Sequence, residues 1–261
     1  MKILFVGDIV GKPGRRAIRE LLPEIISEHQ IDFVIANCEN AAAGFGVTRD
    51  IVEELYSCQI NVLTSGNHIW DKKEIREFVE DYETLLRPAN YPDGSPGWGS
   101  VVMPNSSGIH IGVINLMGRV FMKPLECPFR TAEREIDKIR NRAKVIIIDF
   151  HAEATSEKEA IGWFLDGRVS AVLGTHTHVQ TADETILPGG TAYITDVGMT
   201  GPFNSIIGIR KDEILERFLT QVPNKFDVAK DDVRLQGVII DIDGKSGRAR
   251  GIERLTISLQ N

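Results

Sequence analysis

The chain has 261 residues, of which 42% are hydrophobic and 26% are charged, and its formal net charge is −7. This composition is typical of an ordinary globular protein, and the negative charge argues against a broad, basic binding face for duplex nucleic acid. A small phosphorylated ligand is compatible with the charge, because bound metal ions create local positive charge on an acidic protein. No apolar run approaches the about 20 residues that span a bilayer.

The N-terminus, together with the absence of a long apolar run, predicts a cytoplasmic protein. The chain enters a predicted strand almost at once, without the basic region and cleavage site of a signal peptide. Its cysteines, Cys38, Cys58 and Cys127, are an odd number without CxxC spacing, unlike a disulfide framework or a structural zinc site. We interpret Cys38 as a small buried hydrophobic residue, because strand alternation points it away from the face of its neighbour Glu39.

Strands and helices are predicted to alternate along the first half of the chain. Hydrophobic runs predict strands at residues 2–6, 33–36 and 61–64. Helical spacing predicts helices at residues 14–28, with a kink at Pro23, at 48–57, with Thr48 as the N-cap, and at 72–82.

The second half of the chain continues the alternation. Strands at 101–103 and 109–115 are predicted to pair around the turn at 105–108, and a helix at 132–142 leads to a strand at 145–148. Ser156 and Glu159 predict a capping box for the next helix. Strands are predicted at 171–173, 191–195 and 236–242, and Asp243-Gly244 reads as the turn of a terminal hairpin. The chain contains no internal repeat or linker, so we predict a single domain over residues 1–261.

Five polar segments directly follow predicted strands. They are Gly7-Asp8, Asn37-Cys38-Glu39-Asn40, Gly66-Asn67-His68, Asp149-Phe150-His151-Ala152-Glu153 and Gly174-Thr175-His176-Thr177-His178. Hydrophobic strands that repeatedly end in such residues bring them together at the carboxyl edge of a sheet, where α/β proteins bind ligands. The series therefore predicts a two-metal hydrolase. His29 and His110 lack such neighbours and are interpreted as surface residues.

Each segment taken alone leaves a structural role open. Asp8 is compatible with a helix cap or a loop turn, His68 with a satisfied polar group in a turn, and His151 with a structural histidine. Glu39 is suited to bridge two cations because a carboxylate offers two oxygens. His176 and His178 stand two apart on an extended segment, so they point the same way and can serve one or two ions.

The ordered series resembles the motifs of the calcineurin-like metallophosphoesterases. Two departures narrow the resemblance: the usual Asp-x-His opening reads Asp8-Ile9-Val10, and Glu39 stands where the bridging Asp is expected. Together with Trp70-Asp71 and the segment at 195–202, these details resemble the bacterial YmdB-like 2′,3′-cyclic-nucleotide phosphodiesterases. The resemblance runs from residue 1 to about residue 242.

This resemblance implies an α/β fold, a four-layer α/β/β/α sandwich with two facing sheets. It also implies a ligand set for two metal ions, with Glu39 bridging them: one ion on Asp8, Glu39, Asn40 and His178, and the other on Glu39, Asn67, His151 and His176. His68 matches the family's general acid. Imidazole, carboxylate and amide ligands suit iron or manganese best, with zinc as an alternative. Acceptors for the remaining histidine nitrogens are expected among Asp149, Glu153, Asp183 and Asp196.

The expected function is hydrolysis of small cyclic nucleotides, 2′,3′-cyclic ones first, by metal-activated hydroxide with His68 as proton donor. The charges of two divalent ions, the Asp8 and Glu39 carboxylates and a hydroxide add up to about +1. This net charge suits a singly charged phosphodiester. Another phosphoesterase, such as a nucleotidase or phosphoprotein phosphatase, is the first alternative. A regulatory nucleotide- or RNA-binding protein with little turnover is the second. The sequence leaves base preference and homo-oligomerisation open.

Overall fold

The computed structural model describes residues 1–260 and contains two β-sheets. The strands are β1 (Lys2–Val6), β2 (Asp8–Ile9), β3 (Phe33–Asn37), β4 (Val62–Thr64), β5 (Ser100–Pro104), β6 (His110–Met117), β7 (Val145–His151), β8 (Ala171–Thr175), β9 (Thr185–Ile186), β10 (Ala192–Ile194), β11 (Met199–Pro202), β12 (Val233–Ile242) and β13 (Ala249–Ser258). The helices are α1 (Gly11–His29), α2 (Arg49–Ser57), α3 (Ile75–Phe78), α4 (Pro128–Ile139), α5 (Thr155–Leu165) and α6 (Lys211–Thr220).

The two sheets each contain a parallel core. The first has the order β2-β11-β12-β1-β3-β4, with β13 paired to β12, and β1, β3 and β4 run parallel. The second has the order β5-β6-β7-β8-β10-β9, with β6, β7, β8 and β10 parallel. The segments that follow β1, β3, β4, β7 and β8 therefore lie at the carboxyl edges of two different sheets. The sequence pattern alone had indicated a single sheet edge.

Alternation along the central strands divides the apolar residues into three layers. In β1, Ile3 and Phe5 pack between the sheets together with Ile147 of β7, whereas Leu4 and Val6 pack on the outer side with the apolar faces of α1 and α2. In β7, Ile146 and Ile148 pack on the opposite outer side with residues of α4 and α5. Three apolar layers between four layers of secondary structure confirm the predicted α/β/β/α sandwich.

Two local predictions were wrong. Residues 66–75 form successive turns, with the amides of Ile69, Asp71 and Ile75 bonded to carbonyls three residues back. Only Ile75–Phe78 is α-helical in the predicted helix at 72–82, followed by a 3₁₀ turn at Val79–Asp81. The capping box is absent because α5 begins one residue before Ser156, with Ala154 as the N-cap and without a side-chain cap.

The terminal hairpin is confirmed, since β12 and β13 pair antiparallel along their length. Thr48 is the N-cap residue of α2, but its side chain makes no capping hydrogen bond. Cys38 is free and fully buried. Among residues 1–260, no helix combines the length and the apolarity needed to cross a bilayer.

Candidate metal centre

The polar segments from both sheets converge at their facing carboxyl edges. The first sheet supplies Asp8 after β1, Glu39 and Asn40 after β3, and Asn67 after β4. The second supplies His151 at the end of β7, with His176 and His178 after β8. Residues far apart in sequence are hydrogen-bonded here. The His176 amide, for example, donates to Asp8 Oδ2 at 2.9 Å.

Four potential ligand atoms surround one point beside His151. Its Nε2 lies 3.0 Å from Glu39 Oε1, 3.1 Å from Asn67 Oδ1 and 3.0 Å from His176 Nδ1. A proton on this nitrogen could satisfy only one of the three acceptors. A cation would satisfy all four atoms at once, and the Glu39, His151 and His176 ligand atoms all lie within 4.8 Å of one another.

The opposite nitrogen of each histidine has an acceptor that fixes the tautomer. Thr175 Oγ1 gives its proton to Asp149 Oδ1 at 2.7 Å, so it accepts from His151 Nδ1 at 2.9 Å. His176 Nε2 lies 3.2 Å from Glu153 Oε2, and His178 Nδ1 donates to the Ile207 carbonyl at 2.9 Å. Each ring therefore turns a lone pair toward the centre, the arrangement of metal-binding histidines.

A second cluster lies around His178. Its Nε2 is 3.3 Å from Asn40 Oδ1 and 3.7 Å from Asp8 Oδ2. Asp8 is fully buried, and its Oδ1 has no hydrogen-bond partner among the described residues. A buried carboxylate oxygen without a partner is costly unless a cation binds it. The residues at both clusters therefore fit metal ions by geometry and by ligand chemistry.

The electrostatics of the site agree with this fit. Burial, together with the charges of Glu39 and Asp196, raises the pKa of Asp8 well above its ordinary value, although His151 opposes the shift. Burial alone would lower the pKa of His151, but the neighbouring carboxylates of Glu39, Asp8 and Asp149 raise it. The raised pKa of His151 therefore reflects the negative charge of the carboxylates around its ring, which metal ions would neutralise.

Gly66 allows the close approach on which the first cluster depends. A β-carbon at this position would lie 2.2 Å from His151 Cδ2 and 2.4 Å from Glu39 Oε2. Any side chain would therefore push apart two of the clustered residues. This explains physically why the motif reads Gly66-Asn67, with the side chain that enters the cluster one residue later.

His176 and His178 stand on a strained loop. Both have left-handed backbones, with φ values of 101° and 65°, which are uncommon for residues other than glycine. Thr177 between them is anchored by Asp196, whose Oδ2 accepts from its amide at 3.0 Å and its hydroxyl at 2.7 Å. The buried Asp196 carboxylate therefore stabilises the strained backbone, in which both histidine rings point toward the centre.

His68 lies at the edge of the centre in a defined orientation. Its Nδ1 is 2.7 Å from Asp71 Oδ2, and its amide donates to Glu39 Oε2 at 3.1 Å. Phe45 contacts the ring edge to face at 5.0 Å between centroids. The imidazole is 26% exposed, so a ligand from solvent can reach it.

The structure thus brings the seven predicted ligands into two adjacent clusters, with His68 beside them. The sequence pattern grouped Asn37 with these ligands. In the structure, however, the Asn37 amide donates to Asp149 Oδ2 at 3.0 Å, and so supports the hydrogen bonds that run from Asp149 through Thr175 to His151. Thr175 and Asp71 stand in segments that the sequence singled out, but no role was predicted for either. Lys158, which bonds to Asp196, and the Ile207 carbonyl were not predicted at all, because lysine and backbone partners carry no distinctive spacing.

The expected acceptors for the histidine rings are partly present. Glu153 contacts His176, and Asp149 reaches His151 through Thr175. Asp196 bonds to Thr177 instead of a histidine ring. Asp183 accepts from the amide and hydroxyl of Thr195, so its predicted role was wrong.

Comparisons with known proteins agree over the whole chain. The family described as YmdB-like protein matches residues 4–255. A 2′,3′-cyclic-nucleotide 2′-phosphodiesterase of Bacillus subtilis is 51% identical over 258 residues, covering 99% of this chain and 97% of the relative. A putative phosphatase/phosphodiesterase of Mycoplasma pneumoniae is 36% identical and covers 98% and 93%.

Solved structures give the same result. The crystal structure of a hypothetical protein from Thermus thermophilus matches with a TM-score of 0.92 at 43% identity, covering 99% of both chains. That of a novel phosphatase from Mycoplasma pneumoniae matches with a TM-score of 0.92 at 36% identity, covering 99% of this chain and 93% of the other. The chain belongs to the YmdB-like family.

Proposed function

We propose that this protein is a metal-dependent phosphodiesterase that hydrolyses small cyclic nucleotides. The observation that carries the proposal is the cluster in which Glu39, Asn67 and His176 face the lone pair of His151 at 3.0–3.1 Å. The activity for which the Bacillus subtilis relative is named, at 51% identity, supports the reaction class.

The chain would hold two metal ions that share Glu39. Asp8, Asn40 and His178 would complete one ligand set, and Asn67, His151 and His176 the other. Mixed imidazole, carboxylate and amide ligands favour iron or manganese, with zinc as the alternative. When bound, two such ions activate water and stabilise the oxygens of an in-line displacement at phosphorus.

His68 is proposed as the proton donor to the leaving alkoxide. Because Nδ1 faces Asp71 at 2.7 Å, Nε2 is the nitrogen available to substrate. His68 lines a cavity of about 180 Å³ together with Glu39, His176 and His178. A proton on Nε2 would therefore be available next to the ligand clusters, and Asp71 would hold the ring in the donating orientation.

The substrate preference is proposed for 2′,3′-cyclic nucleotides. Their phosphate is a strained, singly charged diester, which suits a site that keeps about one positive charge once metals and hydroxide are counted. The Bacillus subtilis relative bears the name of this activity. We expect faster hydrolysis of 2′,3′-cyclic than of 3′,5′-cyclic nucleotides, with weak preference among bases.

The alternative is a phosphomonoesterase on the same site. The name of the Mycoplasma pneumoniae relative, a putative phosphatase/phosphodiesterase, supports this alternative.

The test compares kcat/KM of the manganese-loaded enzyme for 2′,3′-cAMP, 3′,5′-cAMP and 5′-AMP. The highest value for 2′,3′-cAMP supports the proposal. A clear advantage for 5′-AMP identifies a monoesterase, one for 3′,5′-cAMP overturns the isomer preference, and tight binding without turnover indicates a regulatory protein.

A further inference from the structure

The residues that line the cavity beside the candidate metal centre fall into two chemically different groups, which we call its polar half and its apolar half. One half consists of Glu39, Asn40, His68, His176 and His178. The other half is apolar and consists mainly of Phe45, Ile207, Ile209, Ile214 and Phe226. The polar half accounts for the proposed phosphate chemistry, but an apolar half has no function in that chemistry. A substrate that fills the cavity therefore needs an apolar or aromatic part next to its phosphate.

Three of these side chains, Phe45, Ile207 and Phe226, are not core residues, and we call them the apolar wall. Ile207 is 51% exposed, and both phenylalanine rings are half-buried. Ile209 and Ile214 also line the cavity but are buried. Because exposed apolar surface is costly in water, an apolar wall at the mouth of a site is typical of ligand binding.

Phe226 is held in a fixed position. The Arg217 guanidinium lies over its ring at 4.9 Å from the centroid. The segment around it is tied to α6 by Glu213, whose carbonyl accepts from Asn224 at 2.8 Å and whose carboxylate accepts from the Asp227 amide at 2.6 Å. A ring fixed in this way loses little conformational entropy when a ligand binds against it.

Ile207 links the apolar wall directly to the proposed ligand His178. Its backbone has a φ of 47°, a strained value for a β-branched residue. In this conformation its carbonyl accepts from His178 Nδ1 at 2.9 Å, while its side chain lines the cavity. One residue thus orients the histidine and contributes apolar surface beside it.

We infer that the apolar wall of Phe45, Ile207 and Phe226 binds the nucleobase of the substrate, while the polar half receives the cyclic phosphate. This inference rests on the proposed function and identifies the part of the substrate that the metal centre leaves unexplained. Stacking on an aromatic ring tolerates every base, because each base has a π-face. The wall therefore accounts for base binding together with weak base preference.

The test uses Phe226→Ala, with Phe218→Ala as the control, because Phe218 is 72% exposed and lies outside the residues that line this cavity. Each manganese-loaded variant is assayed on 2′,3′-cAMP and on methyl riboside 2′,3′-cyclic phosphate, which lacks the base. For Phe226→Ala, the loss in kcat/KM on 2′,3′-cAMP should exceed the loss on the base-free substrate by about tenfold, mainly through KM.

Phe218→Ala should change kcat/KM by the same factor on both substrates. Phe226→Leu keeps the apolar packing but removes the ring, so the ratio of its two losses in kcat/KM should lie between those of the wild type and Phe226→Ala. Equal losses on both substrates for Phe226→Ala and Phe226→Leu, or no loss on either, would overturn the inference. A wild type that hydrolyses the base-free substrate as well as 2′,3′-cAMP would also overturn it and leave the proposed function intact. A wild type that hydrolyses neither would overturn the proposed function itself.

Discussion

Lys158 Nζ lies 2.8 Å from Asp196 Oδ2 in a buried ion pair, with side-chain exposures of 2% and 0%. The same oxygen accepts from the amide and hydroxyl of Thr177, and Asp196 Oδ1 accepts from the Gly198 amide at 2.9 Å. A buried ion pair contributes little net stability, because desolvation offsets its attraction. Its structural effect here is to anchor the loop that carries His176 and His178.

Replacing Lys158 with methionine should destabilise the protein and weaken metal binding together. The variant leaves Asp196 as a buried, unpaired charge, which costs about 3–5 kcal/mol. Urea unfolding measures the stability and calorimetric titration with manganese measures the affinity. The double variant Lys158→Met/Asp196→Leu should recover much of the stability but not the affinity, because Thr177 has lost its anchor. Full recovery of manganese affinity would assign the pair a purely stabilising role.

Replacing His68 with alanine should separate proton donation from metal binding. A nitrophenolate leaving group departs without a proton, whereas the alkoxide of a nucleotide needs one. The variant should keep its metals and lose about 100- to 10,000-fold in kcat on 2′,3′-cAMP, with a much smaller loss on bis-p-nitrophenyl phosphate. Equal losses on both substrates would make His68 a positioning residue or a metal ligand.

Asp71 should act through His68. The 2.7 Å contact between Asp71 Oδ2 and His68 Nδ1 orients the ring, so Asp71→Asn should keep its metals and lose part of the His68 contribution. Groups that act as a unit are non-additive. In a double-mutant cycle on 2′,3′-cAMP, Asp71→Asn should therefore cost little once His68 is alanine. Additive losses would show that the two residues act independently.

Gly66→Ala should disrupt the metal centre without changing any proposed ligand. The added methyl group would lie 2.2 Å from His151 Cδ2 and 2.4 Å from Glu39 Oε2, so the cluster must open. Gly251→Ala is the matched control, because nothing lies within 4 Å of its added carbon. Manganese titration should give a large loss of affinity for Gly66→Ala only. Equal affinities in the two variants would contradict the close packing of the cluster.

The alternation of strands and helices was predictable from strong local signals, whereas the four-layer sandwich with two sheets was implied by the resemblance to the family. The buried strands β1, β3, β7 and β8 are continuous apolar runs, and the polar residues at their ends stand out against them. Elements without such a signal were missed: β2 and β9 have two residues each, and α6 buries only Ile214 among its ten residues. Short pairing and exposed helices depend on tertiary contacts that no local pattern contains.

The supporting contacts of the site were harder to predict for the same reason. His178 donates to the Ile207 carbonyl across 29 residues of sequence, and the Asn37 amide donates to Asp149 across 112. Asn37 is the last residue of β3 and Asn40 lies in the turn that follows, yet only Asn40 faces a proposed ligand histidine. Only the three-dimensional course of the chain distinguishes the positions of the two side chains. The single domain, the ligand set and the number of ions remain predictions.

The central claim is that two metal ions bind with Glu39 between them, and metal stoichiometry with anomalous diffraction tests it most directly. Wild-type protein loaded with manganese should bind about two ions per chain, with one anomalous peak among Glu39, Asn67, His151 and His176 and a second beside Asp8, Asn40 and His178. Glu39→Gln should keep the fold and lose metal and activity together, whereas Glu133→Gln on the surface should lose neither. Saturation of the wild type at one ion, or a Glu39→Gln variant that retains both, would contradict the account.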